Sequence, residues 1–271
     1  MHAFLTVVFW AALGFPLAAQ VLLLKPEYSA ASITSAAGTR PGRLAPNSIL
    51  TIYGVNLSLF SWAIRDQDLH SSTLPTATPN GEVYVQVQGL RIPLFFVSPT
   101  QINALLPGDF DPGLVNLRLF RDLVSGPTVA LTIATEAPEI FRVDKIFAAA
   151  THADGSIVTG QNPGQSGEIV VLYGTGLGAV QLKERNTLVP TLPSEVKRRA
   201  DYRVRIDGVE LEPGSIFYVG VTPGFAGLYQ VNLRLPANLN ENPAIEIGIG
   251  DNWSEAGTRF YARKSATEPT P

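Results

Sequence analysis

The sequence of 271 residues contains no cysteine, three histidines and one methionine, and only 16% of its residues are charged. Without cysteine the chain has neither disulfides nor a thiol for lipid attachment, so packing alone must stabilise it. The charges sum to −3 and give no basic footprint, so we expect no nucleic-acid partner. No stretch shows the periodicity of an amphipathic helix, and together these absences favour an all-β protein.

Hydrophobic residues make up 45% of the chain, which also contains 24 glycines and 21 prolines. The apolar content argues against disorder caused by charge, and the glycines and prolines are typical of short strands joined by turns. The length is sufficient for two domains that each bury their own core.

One strand and turn occurs twice, 120 residues apart, at residues 49–54 and 169–174. Both copies are runs of β-branched and aliphatic residues closed by Tyr-Gly, which predicts a buried central strand in each half. Other segments repeat in the same order. Residues 202–208 correspond to 83–89, and Gln230 and Asn232 correspond to Gln101 and Asn103. Further on, Ile245, Ile247 and Ile249 correspond to Val115, Leu117 and Leu119. The offset changes only within turns. The sequence therefore predicts two immunoglobulin-like β-sandwiches in tandem.

Breaks in composition give the expected boundaries. Residues 1–19 are uncharged and end in small residues, which predicts a signal peptide, with the mature chain starting near Gln20 outside the cytoplasm. The alternative is a retained membrane anchor, because the apolar stretch continues to Lys25. Residues 26–136 and 137–264 are the predicted sandwiches, and 265–271 are a predicted disordered tail. We expect few contacts between the two sandwiches across the junction at Ala137 and Pro138.

The tyrosines that close the repeated strands, Tyr53 and Tyr173, are expected to place their rings in the two cores. Each hydroxyl should then reach a partner near the rim of its sandwich, since buried tyrosines usually satisfy their hydroxyl groups.

Six stretches resemble a known family: residues 45–54, 97–103, 137–141, 154–155, 170–178 and 223–232. They are similar to the uncharacterised C-terminal domain family named after Solibacter, which is found on many predicted secreted acidobacterial proteins. The resemblance covers nearly everything from about residue 32 to residue 262. It implies tandem sandwiches of the IPT/TIG kind and export from the cell. It implies no activity, because the family has no assigned function.

Two motifs invite a functional interpretation. Gly174, Gly176 and Gly178 follow a hydrophobic strand and imitate a dinucleotide-binding turn. Residues 179–192 show no amphipathic helix and the first copy lacks these glycines, so we interpret the motif as turn geometry and expect no cofactor. The repeated Gln/Asn pairs either form a polar site or, as we favour, cap the backbone of a neighbouring loop.

Catalytic and metal-ligating candidates are few. Asp109, Asp111 and His152 lie in predicted loops that lack the dense oxygen-ligand spacing of a calcium site. Ser166 lacks the glycine frame of a nucleophile elbow. The basic run 197–199 is typical of a solvated loop. We therefore expect no catalytic residue, no metal and no cofactor, and predict a non-enzymatic protein.

The candidate ligand-binding residues are three loop aromatics, Phe60, Trp62 and Trp253. Such rings can stack on sugars, although most anchor a loop onto the core. The leading hypothesis is a secreted or cell-surface protein for interaction or structure, whose partner is an extracellular protein or glycan. The alternatives are a polysaccharide-binding accessory protein that uses these aromatics and a hydrolase of unknown type. A membrane is a partner only if the signal segment stays as an anchor.

Overall fold

The computed structural model of the protein describes residues 24–181 and 188–265. These residues form β-strands and four short 3-10 helices and no α-helix, which confirms the all-β prediction. No helix in the described part of the chain is long and apolar enough to cross a membrane. The predicted signal peptide and residues 266–271 of the predicted tail lie outside the described residues. Ser265, the first residue of the predicted tail, is described, and its Oγ accepts a hydrogen bond from the backbone N–H of Leu239 at 2.7 Å.

The strands are numbered in chain order. The first ten are β1 (Ile33–Ser35), β2 (Ser48–Tyr53), β3 (Trp62–Ala63), β4 (Val83–Val87), β5 (Leu90–Ile92), β6 (Leu94–Val97), β7 (Gln101–Leu106), β8 (Gly113–Arg121), β9 (Val124–Ser125) and β10 (Val129–Ile133). The next six are β11 (Glu139–Ile140), β12 (Arg142–Val143), β13 (Phe147–Ala148), β14 (Ala150–His152), β15 (Ile169–Thr175) and β16 (Ser194–Glu195). The last six are β17 (Tyr202–Ile206), β18 (Val209–Glu210), β19 (Ile216–Val221), β20 (Tyr229–Arg234), β21 (Ile245–Ile249) and β22 (Asn252–Trp253). The 3-10 helices span Ala30–Ser32, Asp66–Asp68, Arg199–Asp201 and Pro213–Ser215.

Strands β1 to β10 form the first sandwich. One antiparallel sheet has the strand order β1-β2-β7-β6-β3, and the other has the order β10-β8-β4-β5 with β9 beside β8. Strand β4 shows why these residues form a sheet that packs through one face. Val83, Val85 and Val87 are fully buried, while Tyr84 and Gln86 point outward. This alternation is typical of an antiparallel sheet with one face on the core, and each buried valine stabilises the fold by about 1.5–3 kcal/mol.

The second sandwich repeats the first. Its larger sheet has the order β14-β15-β20-β19-β16, with β11 also paired to β15, and its smaller sheet has the order β18-β17-β21-β22. The ladder between β6 and β7 shifts register between Leu94 and Phe96, and the ladder between β19 and β20 shifts between Ile216 and Tyr218. The larger sheets of the two sandwiches thus have the same strand order and the same irregularity, which confirms the tandem-sandwich prediction.

The predicted alignment of β8 with β21 is wrong by two residues. Val83 pairs with Arg121 in the first sandwich and Tyr202 pairs with Ile249 in the second, so Arg121 and Ile249 are equivalent. A shift of two residues preserves the alternation of buried positions, so the pattern alone does not detect it. Arg121 is 1% exposed, and its guanidinium donates to Asn56 O at 3.0 Å, which ties the loop after β2 to the core.

The expected burial of the two tyrosine rings is also wrong. Tyr53 is 47% exposed, and Tyr173 is only half-buried, with its hydroxyl 3.4 Å from Thr151 Oγ1. Ile52 and Leu172, the residues just before them, are fully buried. Successive side chains of a strand point to opposite faces, so each tyrosine must point away from the core.

The prediction of few contacts across the junction is wrong as well. A third apolar cluster lies between the sandwiches, with Leu74 and Leu105 from the first and Val189 and Ala226 from the second. The backbone N–H of Val189 donates to Ser72 O at 2.9 Å, so the long loops of the two halves also pair. The two loops therefore contact each other across the junction.

Candidate functional site

One side of the contact between the sandwiches is made by the connection between β19 and β20, residues 222–228, which we call the clamp loop. The equivalent connection in the first sandwich is only residues 98–100. Ala226 of the clamp loop is buried in the cluster shared by both sandwiches. A Cβ added to Gly227 would lie 2.7 Å from Ile49 Cγ1 and 2.8 Å from Leu105 Cδ1, so only glycine permits this approach. The longer loop therefore locks the second sandwich onto the first.

The linker between the sandwiches lies against the glycine motif. Cβ atoms added to Gly174, Gly176 and Gly178 would lie 2.8, 2.1 and 2.8 Å from the backbone oxygens of Glu139, Ala137 and Thr135, respectively. The Ala137 N–H also donates to Gly176 O at 2.8 Å. The motif thus gives the linker backbone room to pack, while the positive φ that a turn requires is found at Gly176 and Gly178 but not at Gly174, which lies within β15.

A second connection between the sandwiches is a charged joint around Glu139, which is 2% exposed. Its Oε1 lies 3.4 Å from Arg43 Nε and 3.7 Å from Arg40 Nη2, and its Oε2 accepts the N–H of Glu255 at 3.1 Å. Burial raises the pKa of Glu139 despite the bond from Glu255 and the charge of Arg43. Thr39 Oγ1 donates to Glu255 at 2.7 Å, which adds a further contact between the sandwiches.

Between these connections lies a cleft with a volume of about 730 Å³. The first sandwich and the linker contribute Pro46, Asn47, Leu105, residues 108–112, Thr135 and Glu136, and the second contributes Leu177, Ala179, Val180, Leu188, Pro190, Lys197, Arg198, Val221 and Ala226. Most of these side chains are apolar, and the volume is within the usual range for ligand sites, about 300–1,000 Å³. The cleft is the candidate functional site.

Charges of opposite sign lie on the two walls of the cleft. Asp109 and Asp111 are exposed on the wall of the first sandwich, and Lys197 and Arg198 are exposed on the wall of the second. Arg198 is paired, with its Nη1 3.0 Å from Glu136 Oε2 and its Nε 2.9 Å from an Asp201 carboxylate oxygen. Asp109, Asp111 and Lys197 form no ion pair with any described residue.

The three predicted ligand-binding aromatics do not line this cleft. Phe60 and Trp62 pack against the core of the first sandwich, and the Trp62 Nε1 is buried without a hydrogen bond to any described residue. Trp253 lies over Gly248, where an added Cβ would be 2.7 Å from the indole ring. The Arg205 guanidinium carbon lies 3.6 Å from the centre of the same indole. Phe60 and Trp62 thus contact the core of the first sandwich, and Trp253 is half-buried beside Arg205.

The repeated amide pairs bond within their own strands. Gln101 Nε2 donates to Asn103 Oδ1 at 2.9 Å, and Gln230 Nε2 donates to Asn232 Oδ1 at 3.1 Å. The favoured prediction that they cap a neighbouring loop is therefore wrong. Side chains two residues apart lie on the same face of a strand, so the two amides of each pair meet, and Asn103 Oδ1 also accepts a hydrogen bond from Thr51 Oγ1 of β2 at 3.1 Å.

The remaining candidates form no reactive arrangement among the described residues. His152 is 9% exposed and uses both ring nitrogens structurally, with Nδ1 bonded to the Glu168 carboxylate and Nε2 3.1 Å from Asn162 O. Ser166 Oγ lies 2.5 Å from Ser265 Oγ. In the described ranges, no three His, Cys, Asp or Glu side chains are grouped to hold a metal ion.

Sequence reasoning named Asp109, Asp111 and the basic run 197–199 but assigned them to separate loops. It missed Asn47, Thr135 and Glu136, which complete the cleft. The growth of the repeat offset from 119 at residues 202–208 to 129 at Gln230 was the one available signal, because the longer clamp loop lies within that interval.

Comparisons with known proteins identify no family. No protein-family profile matches the chain, and no curated protein matches it. Among solved structures, it is similar to a surface glycan-binding protein from Prevotella bryantii (10% identity, TM-score 0.27, 87% of this chain and 42% of the other). A surface glycan-binding protein from Bacteroides ovatus, solved with a mixed-linkage heptasaccharide, gives 12% identity and a TM-score of 0.28, with 79% and 38% covered. Domains 5–6 of the S-layer protein SbsC give 10% identity and a TM-score of 0.28, with 88% of this chain and 99% of the other covered.

The chain thus spans less than half the length of the two glycan-binding chains. Identities and TM-scores this low carry no argument about the ligand of this protein, which has to come from the cleft itself.

Proposed function

We propose that this protein is a non-enzymatic binding protein that acts outside the cytoplasm and takes its ligand in the cleft between the two sandwiches. The observation that supports this most is a cleft of about 730 Å³ whose walls belong to different sandwiches and are joined on more than one side. The location rests on the predicted signal peptide and on the resemblance to the Solibacter-type family, which both remain predictions.

The two connections favour a preformed site. The clamp loop and the charged joint around Glu139 link the sandwiches through apolar, hydrogen-bonded and ionic contacts. A ligand that enters a cleft of fixed width does not have to order the walls, so less of its binding energy is lost. A rigid pair of sandwiches is therefore better suited to binding than two sandwiches on a flexible linker.

The groups in the cleft are suited to holding a ligand rather than to reacting with it. Glu136 is paired with Arg198, and the exposed carboxylates of Asp109 and Asp111 stand opposite basic groups. The alternative of sugar stacking on loop aromatics has less support, because Trp62 and Trp253 are packed against other parts of the protein.

A substitution that fills the cleft tests the proposal. Ala179 is exposed and lines the cleft, so Ala179→Trp should occupy its space without entering either core. Ala130→Trp is the matched control, because Ala130 is exposed on the outer face of β10. The probes are soluble xylan, soluble β-glucan and a phage library of random heptapeptides, each offered to the full chain. We expect at least one probe to bind, and to lose binding on Ala179→Trp but not on Ala130→Trp. The proposal fails if no probe is sensitive to Ala179→Trp, or if a probe is turned over.

A further inference from the structure

The chemistry of the cleft narrows the class of ligand. Building on the proposed function, we infer that the cleft binds an extended peptide segment of a partner protein, one that carries aliphatic side chains together with both acidic and basic residues. The partner would thus be recognised through a short linear segment.

The first argument is the aliphatic surface of the cleft. Leu105, Leu177 and Val221 are buried beneath it, and Val180 and Leu188 are half-buried and offer apolar surface to a ligand. Aliphatic side chains of a peptide are well matched to such a surface, because burying apolar area on both partners is favourable whatever the orientation.

The second argument concerns the aromatic content of the cleft. Phe110 is the aromatic residue that lines it, and its ring is half-buried against the core of the first sandwich. The alternative of a polysaccharide ligand relies on loop aromatics that can stack on sugar rings. The other ring candidates, Trp62 and Trp253, lie outside the cleft. The observations therefore favour a peptide over a polysaccharide.

The third argument is the charge of the two rims. Asp109 and Asp111 are exposed on one wall and Lys197 is exposed on the other, and none of the three has an ion-pair partner among the described residues. A ligand with charge of one sign would be repelled by one wall. A peptide carries acidic and basic side chains on one backbone, so it complements both rims at once, and such complementarity contributes mainly to specificity.

Peptide selection tests the inference directly. The heptapeptide phage library is selected on the full chain, with the Ala179→Trp chain as counter-selection. We expect enriched peptides to combine aliphatic residues with at least one acidic and one basic residue. A synthetic copy of the most enriched peptide should bind about tenfold more weakly to Ala179→Trp, a difference of about 1.4 kcal/mol. Its affinity for Ala130→Trp should be unchanged.

Charge reversal tests the role of the rims. Lys197→Glu should weaken the peptide by about fivefold, since attraction at one rim becomes repulsion. A peptide whose acidic residue is replaced by lysine should regain that affinity on Lys197→Glu. The matched control is Lys145→Glu, which makes the same charge change at an exposed site that does not line the cleft. Equal losses for both variants would overturn the charge argument.

The outcomes separate this inference from the proposed function. If xylan or β-glucan binds in a manner sensitive to Ala179→Trp while no peptide does, the cleft is a binding site and the peptide inference is wrong. If no peptide is enriched, or if enriched peptides bind Ala179→Trp as well as the wild-type chain, the inference is also wrong. Circular dichroism melts of each variant establish that a loss of binding is not a loss of fold.

Discussion

The hydroxyl of Tyr229 gives the sharpest test of whether the two sandwiches form one unit. Tyr229 lies on β20 of the second sandwich and is fully buried. Its hydroxyl donates to Gly178 O and accepts a hydrogen bond from Asn47 Nδ2 of the first sandwich at 3.0 Å. Burial raises the pKa of Tyr229 well above its usual range, although the bond from Asn47 opposes this shift. The hydroxyl therefore stays protonated and acts as both donor and acceptor.

Tyr229→Phe keeps the ring and removes the hydroxyl, which leaves Gly178 O and the Asn47 amide without this partner. Leaving a buried polar group unsatisfied costs about 1–3 kcal/mol of unfolding free energy. The companion variant is Asn47→Gly, because Asn47 has a φ of +59° that glycine adopts without strain. In a double-mutant cycle we expect a coupling energy of about 0.5–1.5 kcal/mol, since the two side chains share one hydrogen bond.

Differential scanning calorimetry and urea unfolding followed by circular dichroism provide the measurements. The wild-type chain should unfold in a single transition, because the cluster of Leu105 and Ala226 joins the sandwiches. Tyr229→Phe should lower that transition by about 2–4 °C for each kcal/mol lost. Two separate transitions, of which only one moves in the variant, would refute the reasoning. A coupling energy near zero would refute the contact itself.

Two further predictions concern the linker and a buried histidine. Gly176→Ala should cost about 2–5 kcal/mol of unfolding free energy, because φ is +75° and the new Cβ would lie 2.1 Å from Ala137 O. Gly167→Ala, with φ +73° and no atom within 4 Å, should cost only about 1–2 kcal/mol, and equal urea midpoints would contradict the linker contact. Burial lowers the pKa of His152, but the bonds of its ring to Glu168 and Asn162 O outweigh burial, so the pKa is raised overall. The stability that the histidine contributes is therefore complete below about pH 6.5 and is lost as the pH rises through the raised pKa. Urea unfolding between about pH 5.5 and pH 9 should therefore show a steeper decline for the wild-type chain than for His152→Gln, and parallel curves would exclude this role.

The sequence was sufficient to predict the duplication and the longer strands that repeat, because both follow from local patterns. The alternation in β4 and the repeat of β2 in β15 survive as buried and exposed positions in the structure. The register of β8 against β21 was not accessible in this way. Arg121 occupies an inward-facing position of β8, and a charged residue there does not match the expected apolar pattern. Its burial depends on carbonyl partners from distant segments, which local pattern reasoning does not locate.

The contact between the sandwiches, and with it the cleft, was beyond sequence reasoning for a different reason. The repeat offset grows between residues 208 and 230, which places an insertion in that interval, but an insertion by itself only lengthens a turn. Whether the clamp loop meets solvent or the neighbouring sandwich depends on the relative orientation of the two. That orientation follows from Ala226, Val189 and the charged joint acting together, and none of them has a distinctive local signal.

The repeated Tyr-Gly turn is a sequence motif whose recurrence is explained by a backbone contact in the structure. Its tyrosines point outward, so ring burial does not explain why the pair recurs. The glycines do explain it: a Cβ added to Gly54 would lie 2.2 Å from Glu27 O, and one added to Gly174 would lie 2.8 Å from Glu139 O. Glu27 pairs with Val55, and Glu139 with Thr175, so in both copies the segment that enters the sandwich passes directly over this glycine. The duplication therefore preserved a crossing of two backbones. In the second copy this segment is β11, which directly follows the linker, so the same contact helps to hold the linker against the second sandwich.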